Sequence, residues 1–412
     1  MPKAMIITVG TGRDRKDIAS AICKSISEHN PTEVIFLVTD LSKSETLPLI
    51  LSSDNVKDKK HSDKLLSDEN DVEKIKIECD TIIKEIFKNH KQDEITVDYT
   101  SGTKAMSSGI VLSAIANKIG SISYIAGKRE RDGRVIPGSE RIISFSPADL
   151  YANELFAESV RSFNSYQYDV AFQLLDEAKN LFQEQRFIEK ANTLSCLANV
   201  YSRWDKFLLS ESMDLLNRLP VSDFYAEWGV KSKIEKNKQI IYKEVKNKFC
   251  EERMIDLFLN AKRRQNEYKY DDAIARLYRL LEYIAQFLIA RRELYQTRND
   301  NEIDTSRLNL DKIPTGFQEK YREQIGLDKN YELLNDLKEP LGIEVYSELK
   351  NKDSALKRIL VIRNNSILAH GFDPVKKDNF TEFFQIIEKY LRKIVKDFDA
   401  LAQNAEFPKI KL

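Results

Sequence analysis

Up to residue 147 the apolar positions come in two kinds of run. Residues 4–9 and 33–39 are continuous and β-branched, as strands buried on both faces are, and residues 94–98 and 121–125 follow as further strands. Between them, 14–28, 72–90 and 103–118 repeat their apolar residues at helical spacing. Strand and helix in alternation predict a parallel sheet with right-handed crossovers, a Rossmann-like α/β domain. Residues 128–134 and 140–144 predict a closing hairpin, and the Ser, Asp, Asn and Lys of 53–70 predict a mobile excursion.

From Pro147 onward the strand signal stops and amphipathic helices run to the end. Ile274, Leu277, Leu281, Ile284 and Leu288 step by three and four, which is one stripe of a helix. Phe380, Phe384, Ile387, Leu391, Ile394 and Phe398 repeat the stripe behind Asp378 as N-cap. Tyr166-Gln-Tyr-Asp169-Val-Ala171 is echoed by Tyr268-Lys-Tyr-Asp271-Asp-Ala273. Two copies are too few for a solenoid, and Asp as cap with aromatics as staple produces both independently. The echo serves to place a boundary near residue 260. The expected organisation is α/β plus all-α: residues 1–147 Rossmann-like, 148–260 a helical connector, 261–412 an all-helical domain.

Composition agrees with this division. At 412 residues the chain exceeds one ordinary core. Only 13 Gly and 10 Pro leave few tight turns, which favours long helices over a sandwich. Charge changes the functional picture. Lys+Arg 65 balances Asp+Glu 65, and residues 1–150 hold 22 basic against 23 acidic side chains, so no domain is broadly basic. The simplest argument for nucleic-acid binding is thereby removed, and any nucleic-acid contact has to be local. Cys23, Cys79, Cys196 and Cys250 form no CxxC pair, which argues against a disulfide framework or a zinc site and for a reducing cytoplasm. Residues 4–9 are too short for a signal-peptide core, and 105–117, the longest uncharged run, for a membrane span.

Two constellations carry chemistry. The first lies where the parallel strands end. Gly10-Thr11-Gly12 follows the first strand, and Asp98-Tyr99-Thr100-Ser101-Gly102-Thr103-Lys104 follows the third apolar run and opens a helix. Both turns share the carboxyl edge, where open α/β sheets bind ligands. Small hydroxyl residues and glycines let backbone N–H groups approach an anion, the helix N-terminus adds positive partial charge, and Lys104 adds a full one. A third Gly at dinucleotide spacing is missing, and Gly-Thr-Lys is not Gly-Lys-Thr, so the loops suit a phosphodiester or nucleotide without indicating NAD or ATP. The alternative is a pair of ordinary capped βα turns.

The second constellation spans Leu356 to Pro374. Leu356, Leu360, Arg363, Ile367 and His370 fall on one helical stripe, placing Arg363 and His370 at packing positions, with Gly371 and Pro374 stopping the helix behind them. Arg is shaped to grip a phosphate and His trades a proton near neutral pH. Together they support RNA cleavage in which the ribose 2′-OH attacks its own phosphate, with no metal. The competing reading pairs Arg363 with a buried acid and leaves His370 as a cap on the helix dipole. Asp223, Glu227 and Lys231 have the wrong spacing for a metal-nuclease cluster, and Lys128, Arg129, Arg131 and Arg134, interleaved with Glu130 and Asp132, read as hairpin surface. His29, His61 and His90 receive no role.

Taken together, the two constellations resemble the CARF-HEPN ribonucleases of type III CRISPR systems. The resemblance covers the whole chain: a CARF sensor with Gly-Thr-Gly after strand one and residues 98–104 after a later strand, a helical connector, and a HEPN domain whose Arg-and-His signature is here Arg363-Asn-Asn-Ser-Ile-Leu-Ala-His370, at the long end of the family spacing. It implies a cytoplasmic homodimer with no metal or other cofactor. The implied allosteric activator is a cyclic oligoadenylate, the tetra-adenylate being favoured, and the implied substrate is single-stranded RNA. A functional link to the type III effector without stable binding follows, with no membrane partner. Carried over residue by residue, Arg363 orients or neutralises the scissile phosphate, His370 is the acid/base, and Asn364 positions them. Gly10, Thr11, Gly12, Thr100, Ser101, Gly102, Thr103 and Lys104 face the activator. The alternatives are a non-catalytic nucleotide-sensing regulator or scaffold, and a sensor domain that also degrades its own activator.

Overall fold

The computed structural model describes residues 4–128, 136, 138–181, 184–297, 303–322 and 325–411. The chain divides into two compact units, Met1–Phe156 with Glu177–Ile188, and Ala157–Asp176 with Glu189–Leu412.

The first unit is built on a six-stranded sheet of order β3-β2-β1-β4-β5-β6. Its elements are β1 (Ala4–Thr8), α1 (Arg15–His29), β2 (Glu33–Val38), α2 (Asp40–Glu45), α3 (Leu47–Leu51), β3 (Lys60–Leu65), α4 (Val72–Ile86), β4 (Ile95–Asp98), α5 (Lys104–Ala116), β5 (Ser121–Ala126) and β6 (Arg141–Phe145). All neighbours pair in parallel except β5 with β6. Two cores flank the sheet, as the continuous apolar runs require. Ile6, Ile35, Leu37, Val97 and Ile122 meet Ile75, Ile83 and Ile110 on one side. Met5, Ile7, Val34, Phe36 and Val38 meet Ile22, Ile26 and Ile50 on the other. From β1 the chain moves outward to β2 and β3, then returns to lay β4 on the opposite side of β1. The order reverses between β1 and β4, and ligands of open α/β sheets bind at such a switch point.

Two expectations for this unit change, and a third is only partly visible. Residues 53–70 are not an excursion but contain β3, Lys-His-Ser-Asp-Lys-Leu, which is mostly exposed. A strand at the sheet's edge needs no apolar face, and charged residues there guard against edge-to-edge pairing, so the hydrophobic pattern is silent. The closing strand β6 pairs with β5, Ile122 opposite Phe145. The expected first arm of that hairpin, with Arg129, Arg131 and Arg134, lies outside the described residues. Helix α4 stops at Ile86, short of His90.

The helices that follow are α6 (Pro147–Asn164), α7 (Tyr168–Lys179), α8 (Gln185–Asp205), α9 (Leu209–Asn217), α10 (Phe224–Glu227), α11 (Lys231–Lys246), α12 (Glu251–Asn266) and α13 (Tyr270–Arg291). After them come α14 (Leu327–Asp336), α15 (Pro340–Lys350), α16 (Ala355–Asn364), α17 (Lys377–Ile394) and α18 (Phe398–Ala405). The stripe of α13 is buried throughout. On α17, Phe380, Ile387 and Leu391 are buried as expected, joined by Phe383 and Tyr390, whereas Phe398 starts the next helix. The N-cap is Lys376, and Asp378 sits inside the first turn. Residue 260, expected at a boundary, lies in the middle of α12. The echoed segments share a backbone state, since Tyr166 and Tyr268 both adopt positive φ just before α7 and α13. In α13 the cap is Lys269 and Asp271 lies within the helix. One feature has no apolar signal: a two-stranded ribbon, β7 (Tyr295–Thr297) with β8 (Ile303–Leu308), both half-polar, interrupts the helices. Among the described residues no helix is long and apolar enough to cross a membrane.

Candidate ligand pocket and candidate active site

The loops after β1 and β4 pack directly on each other at the switch point. Gly10 donates its N–H to Ser101 Oγ at 2.9 Å, and Thr8 Oγ1 donates to the Ser101 carbonyl. A Cβ on Gly10 would lie 2.6 Å from the Gly102 nitrogen and 2.8 Å from its Cα, so only glycine permits this approach. Gly102 itself sits at φ +103°, a conformation that other residues rarely adopt.

Beneath the loops lies Asp98, fully buried at the end of β4. Its carboxylate accepts hydrogen bonds from Ser25 Oγ (2.5 Å), Ser123 Oγ (3.0 Å) and the Thr100 N–H (2.8 Å). Charge-assisted bonds of this kind are about twice as strong as neutral ones, and they fix where the loop leaves the strand. His29 Nε2 lies 3.1 Å from Ser123 Oγ, and burial pulls its pKa down against the opposing pull of Asp98. Asp98, Ser25 and Ser123 carry no ligand signature in the sequence; an acid closing an apolar strand is the only trace.

The eight residues expected at this site therefore divide in two. Thr100 Oγ1 accepts from the Ile125 N–H (2.9 Å), Ser101 is 5% exposed and holds Gly10, and Thr103 caps α5 by accepting from the Met106 N–H (3.1 Å). These three hydroxyls are engaged in shaping the loop. Gly12, Gly102 and Lys104 are exposed and Thr11 half-buried; Lys104 forms no ion pair among the described residues. The surface offered to a ligand is thus backbone, one hydroxyl, one cation and the N-terminus of a thirteen-residue helix, α5. That set suits an anion.

In the second unit the structure corrects the continuous stripe through His370. Helix α16 ends at Asn364, and residues 365–370 form tight turns. The sequence Asn364-Asn365-Ser366 stops it, because these side chains compete for backbone groups. Ser366, 1% exposed, turns its hydroxyl back to the Arg363 carbonyl at 2.8 Å. Ile367, assigned to a packing face, is exposed instead, as is its neighbour Leu368. The chain then curls back: the His370 N–H reaches the Asn364 carbonyl at 3.0 Å and the Asp373 N–H reaches that of Asn365 at 2.9 Å. Gly371 makes the curl possible, for a Cβ there would lie 2.1 Å from the Asn365 oxygen. The turn achieves what the helix was expected to do, bringing the backbone of His370 beside Asn364 and Arg363.

His370 and Asn364 are exposed and Arg363 is half-buried. Among the described residues Arg363 pairs with no acid. Its Nη1 donates to Asn364 Oδ1 at 3.1 Å, and the guanidinium carbon lies 4.0 Å from the centroid of the Tyr278 ring on α13. Arg363 Nε is buried without a hydrogen-bond partner. Leaving a buried donor unsatisfied costs about 1–3 kcal/mol. Tyr278 was not anticipated, because it lies 85 residues upstream beside the Leu277 stripe and nothing local marks it. Among the described residues no group of three or more His, Cys, Asp or Glu is placed to hold a metal ion, Asp223 and Glu227 included. Among the described residues Cys23, Cys79, Cys196 and Cys250 form no disulfide.

Comparisons with known proteins bear on both units. Residues 242–394 match the family model of the Csm6 HEPN domain, a segment that contains Tyr278, Arg363 and His370. The structure of Enterococcus italicus Csm6 bound to cyclic hexa-2'-fluoro-hexa-dAMP is similar over 98% of this chain and 98% of that one, with a TM-score of 0.59 and 14% identity. At that identity the likeness speaks to the fold. Can2 from Sulfobacillus thermosulfidooxidans in complex with cyclic tetra-adenylate is similar over 55% of this chain and 69% of that one, but its TM-score of 0.26, at 14% identity, is too low to bear on the fold. A search of curated proteins found no match.

Proposed function

We infer that this chain, a CARF-HEPN protein with a Csm6-type HEPN domain, is a ribonuclease of CRISPR defence that cuts single-stranded RNA on binding a cyclic oligoadenylate. The observation that carries the reading is the state of Arg363: held by neutral groups, paired with no acid among the described residues, and brought by the Gly371 turn to the segment that bears an exposed His370. In the reaction proposed, the ribose 2′-oxygen attacks the adjacent phosphorus and the 5′-oxygen of the next nucleotide leaves. Negative charge grows on the non-bridging oxygens, where a guanidinium with its full charge available stabilises it. His370 takes the proton from the 2′-OH or gives one to the leaving oxygen, and Asn364 keeps the guanidinium oriented through its 3.1 Å hydrogen bond. This route calls on no metal.

A single chain supplies one Arg and one His. Two copies related by a two-fold axis would bring two such sets to one site and build one activator pocket from two switch-point crevices, which matches the symmetry of a cyclic oligonucleotide. Cyclic tetra-adenylate is the activator proposed. Binding shifts the dimer between two arrangements only as far as it favours one of them. The test is cleavage of a labelled single-stranded RNA with no activator, with cyclic tetra-adenylate and with cyclic hexa-adenylate, each with and without EDTA. Cleavage that depends on one ring and survives the chelator is expected. Tight binding of a ring with no cleavage would favour the regulator reading. Loss of the ring itself in a mixture with Arg363→Ala would show that the sensor degrades its activator.

A further inference from the structure

The guanidinium of Arg363 is fixed by an aromatic ring where most arginines are fixed by a carboxylate. Tyr278 projects from α13, one residue beyond the fully buried Leu277, and its ring centroid lies 4.0 Å from the Arg363 guanidinium carbon. Burial raises the pKa of the Tyr278 phenol, the neighbouring Glu282 raises it further, and Arg363 opposes both. The ring is thus held on a packed helix, which makes it a rigid platform. Arg363 has two neutral anchors, this ring and Asn364 Oδ1, and a buried Nε with no acceptor.

The choice of anchor has a chemical consequence. A carboxylate would hold the guanidinium as firmly but would neutralise it, and the scissile phosphate would then have to displace that acid. A π face orients the cation through its quadrupole while leaving the charge and the N–H donors for an incoming anion. We propose that Tyr278 is a positioning residue for RNA cleavage: its ring sets the orientation of Arg363 and keeps the arginine uncompensated until the phosphate arrives. This rests on the ribonuclease reading above.

The test compares Tyr278→Phe, which keeps the ring, with Tyr278→Leu, which keeps bulk without a π face, in the activated full-length protein. Cation–π attraction of this kind corresponds to a loss of about tenfold in kcat for Tyr278→Leu, with KM changed less, and to rates within about twofold of wild type for Tyr278→Phe. Because the ring acts through Arg363, Tyr278→Leu added to Arg363→Ala should slow cleavage no further. The proposal is overturned if Tyr278→Leu matches wild type, if Phe is as poor as Leu, or if Leu slows the Arg363→Ala enzyme by the same factor as it slows wild type. A double-mutant cycle in urea unfolding examines the contact without reference to activity: coupling between Tyr278→Leu and Arg363→Ala is expected, and its absence overturns the proposal. If activated wild type and Arg363→Ala cut alike, the ribonuclease reading falls, and the unfolding cycle still decides whether the ring holds the arginine.

Discussion

Gly371→Ala should cripple RNA cleavage although it alters neither Arg363 nor His370. The added Cβ would sit 2.1 Å from the Asn365 carbonyl oxygen, 2.6 Å from its carbon and 2.8 Å from its Cα. These are backbone atoms and cannot rotate aside. An ordinary carbon-to-oxygen contact is about 3.4 Å or more, so the turn must open by roughly 1 Å, and the His370 N–H bond to Asn364 (3.0 Å) lengthens with it. Forcing a methyl into a packed site costs about 1–3 kcal/mol, and the turn is exposed, so the fold should survive. A 1 Å displacement of a reacting group costs about 10²-fold in rate. The assay is cleavage of labelled RNA at saturating activator, beside a thermal melt and an activator-binding titration. A variant that melts near wild type, binds activator normally and cuts about a hundredfold slower is expected. Wild-type cleavage by Gly371→Ala would show that the turn does not set the position of His370.

The sensor end allows the parallel experiment: Gly10→Ala drives a Cβ into the Gly102 backbone and strains the 2.9 Å bond to Ser101, so the activator concentration for half-maximal cleavage should rise about tenfold or more, read by titration. Phe407, 6% exposed, packs against Tyr201 (4.8 Å between centroids), Trp204 (5.0 Å) and Arg263 (3.8 Å); Phe407→Ala should cost about 3–5 kcal/mol in urea unfolding of the helical unit. His29 has a folded pKa below its ordinary 6.5 because it is buried, so the unfolded chain binds the extra proton. Its contribution is fully present above about pH 6.5 and is lost as pH falls through that value toward the lower folded pKa. Melts of the α/β unit should weaken over that window, and His29→Asn should flatten the slope.

What the sequence disclosed followed from whether burial wrote a pattern. Residues 4–9 and 33–39 carry apolar side chains on both faces, and 94–98 alternate Ile95 and Val97 with Thr96 and Asp98, so their strands and the parallel sheet were legible, as was the α13 stripe. Strand β3 was not, because an edge strand with Lys60, His61, Asp63 and Lys64 is mostly exposed and writes no apolar pattern. The ribbon of β7 and β8 was hidden for the same reason. At the sites, residue identity was readable and geometry was not. Thr100, Ser101 and Thr103 were identified as ligand residues from their chemistry, but only the fold shows their hydroxyls engaged with Ile125, Gly10 and Met106. Arg363 and His370 were chosen on a helical period that breaks at Asn364, and a turn closed on Gly371 brings the segment together instead. Tyr278 acts through a long-range contact for which a single sequence holds no local signal, and Asp98, though it opens the 98–104 run, shows its bonds to Ser25 and Ser123 only in the fold.

The central claim is that Arg363 and His370 perform activator-dependent RNA cleavage. The most direct measurement is the single-turnover rate on single-stranded RNA of wild type, Arg363→Ala and His370→Ala at saturating cyclic oligoadenylate, with folding and activator binding verified for each. Loss of the acid/base or of the charge should slow cleavage by about 10²–10⁴-fold while binding is unchanged. Folded, activator-bound variants that cut RNA as fast as wild type would contradict it.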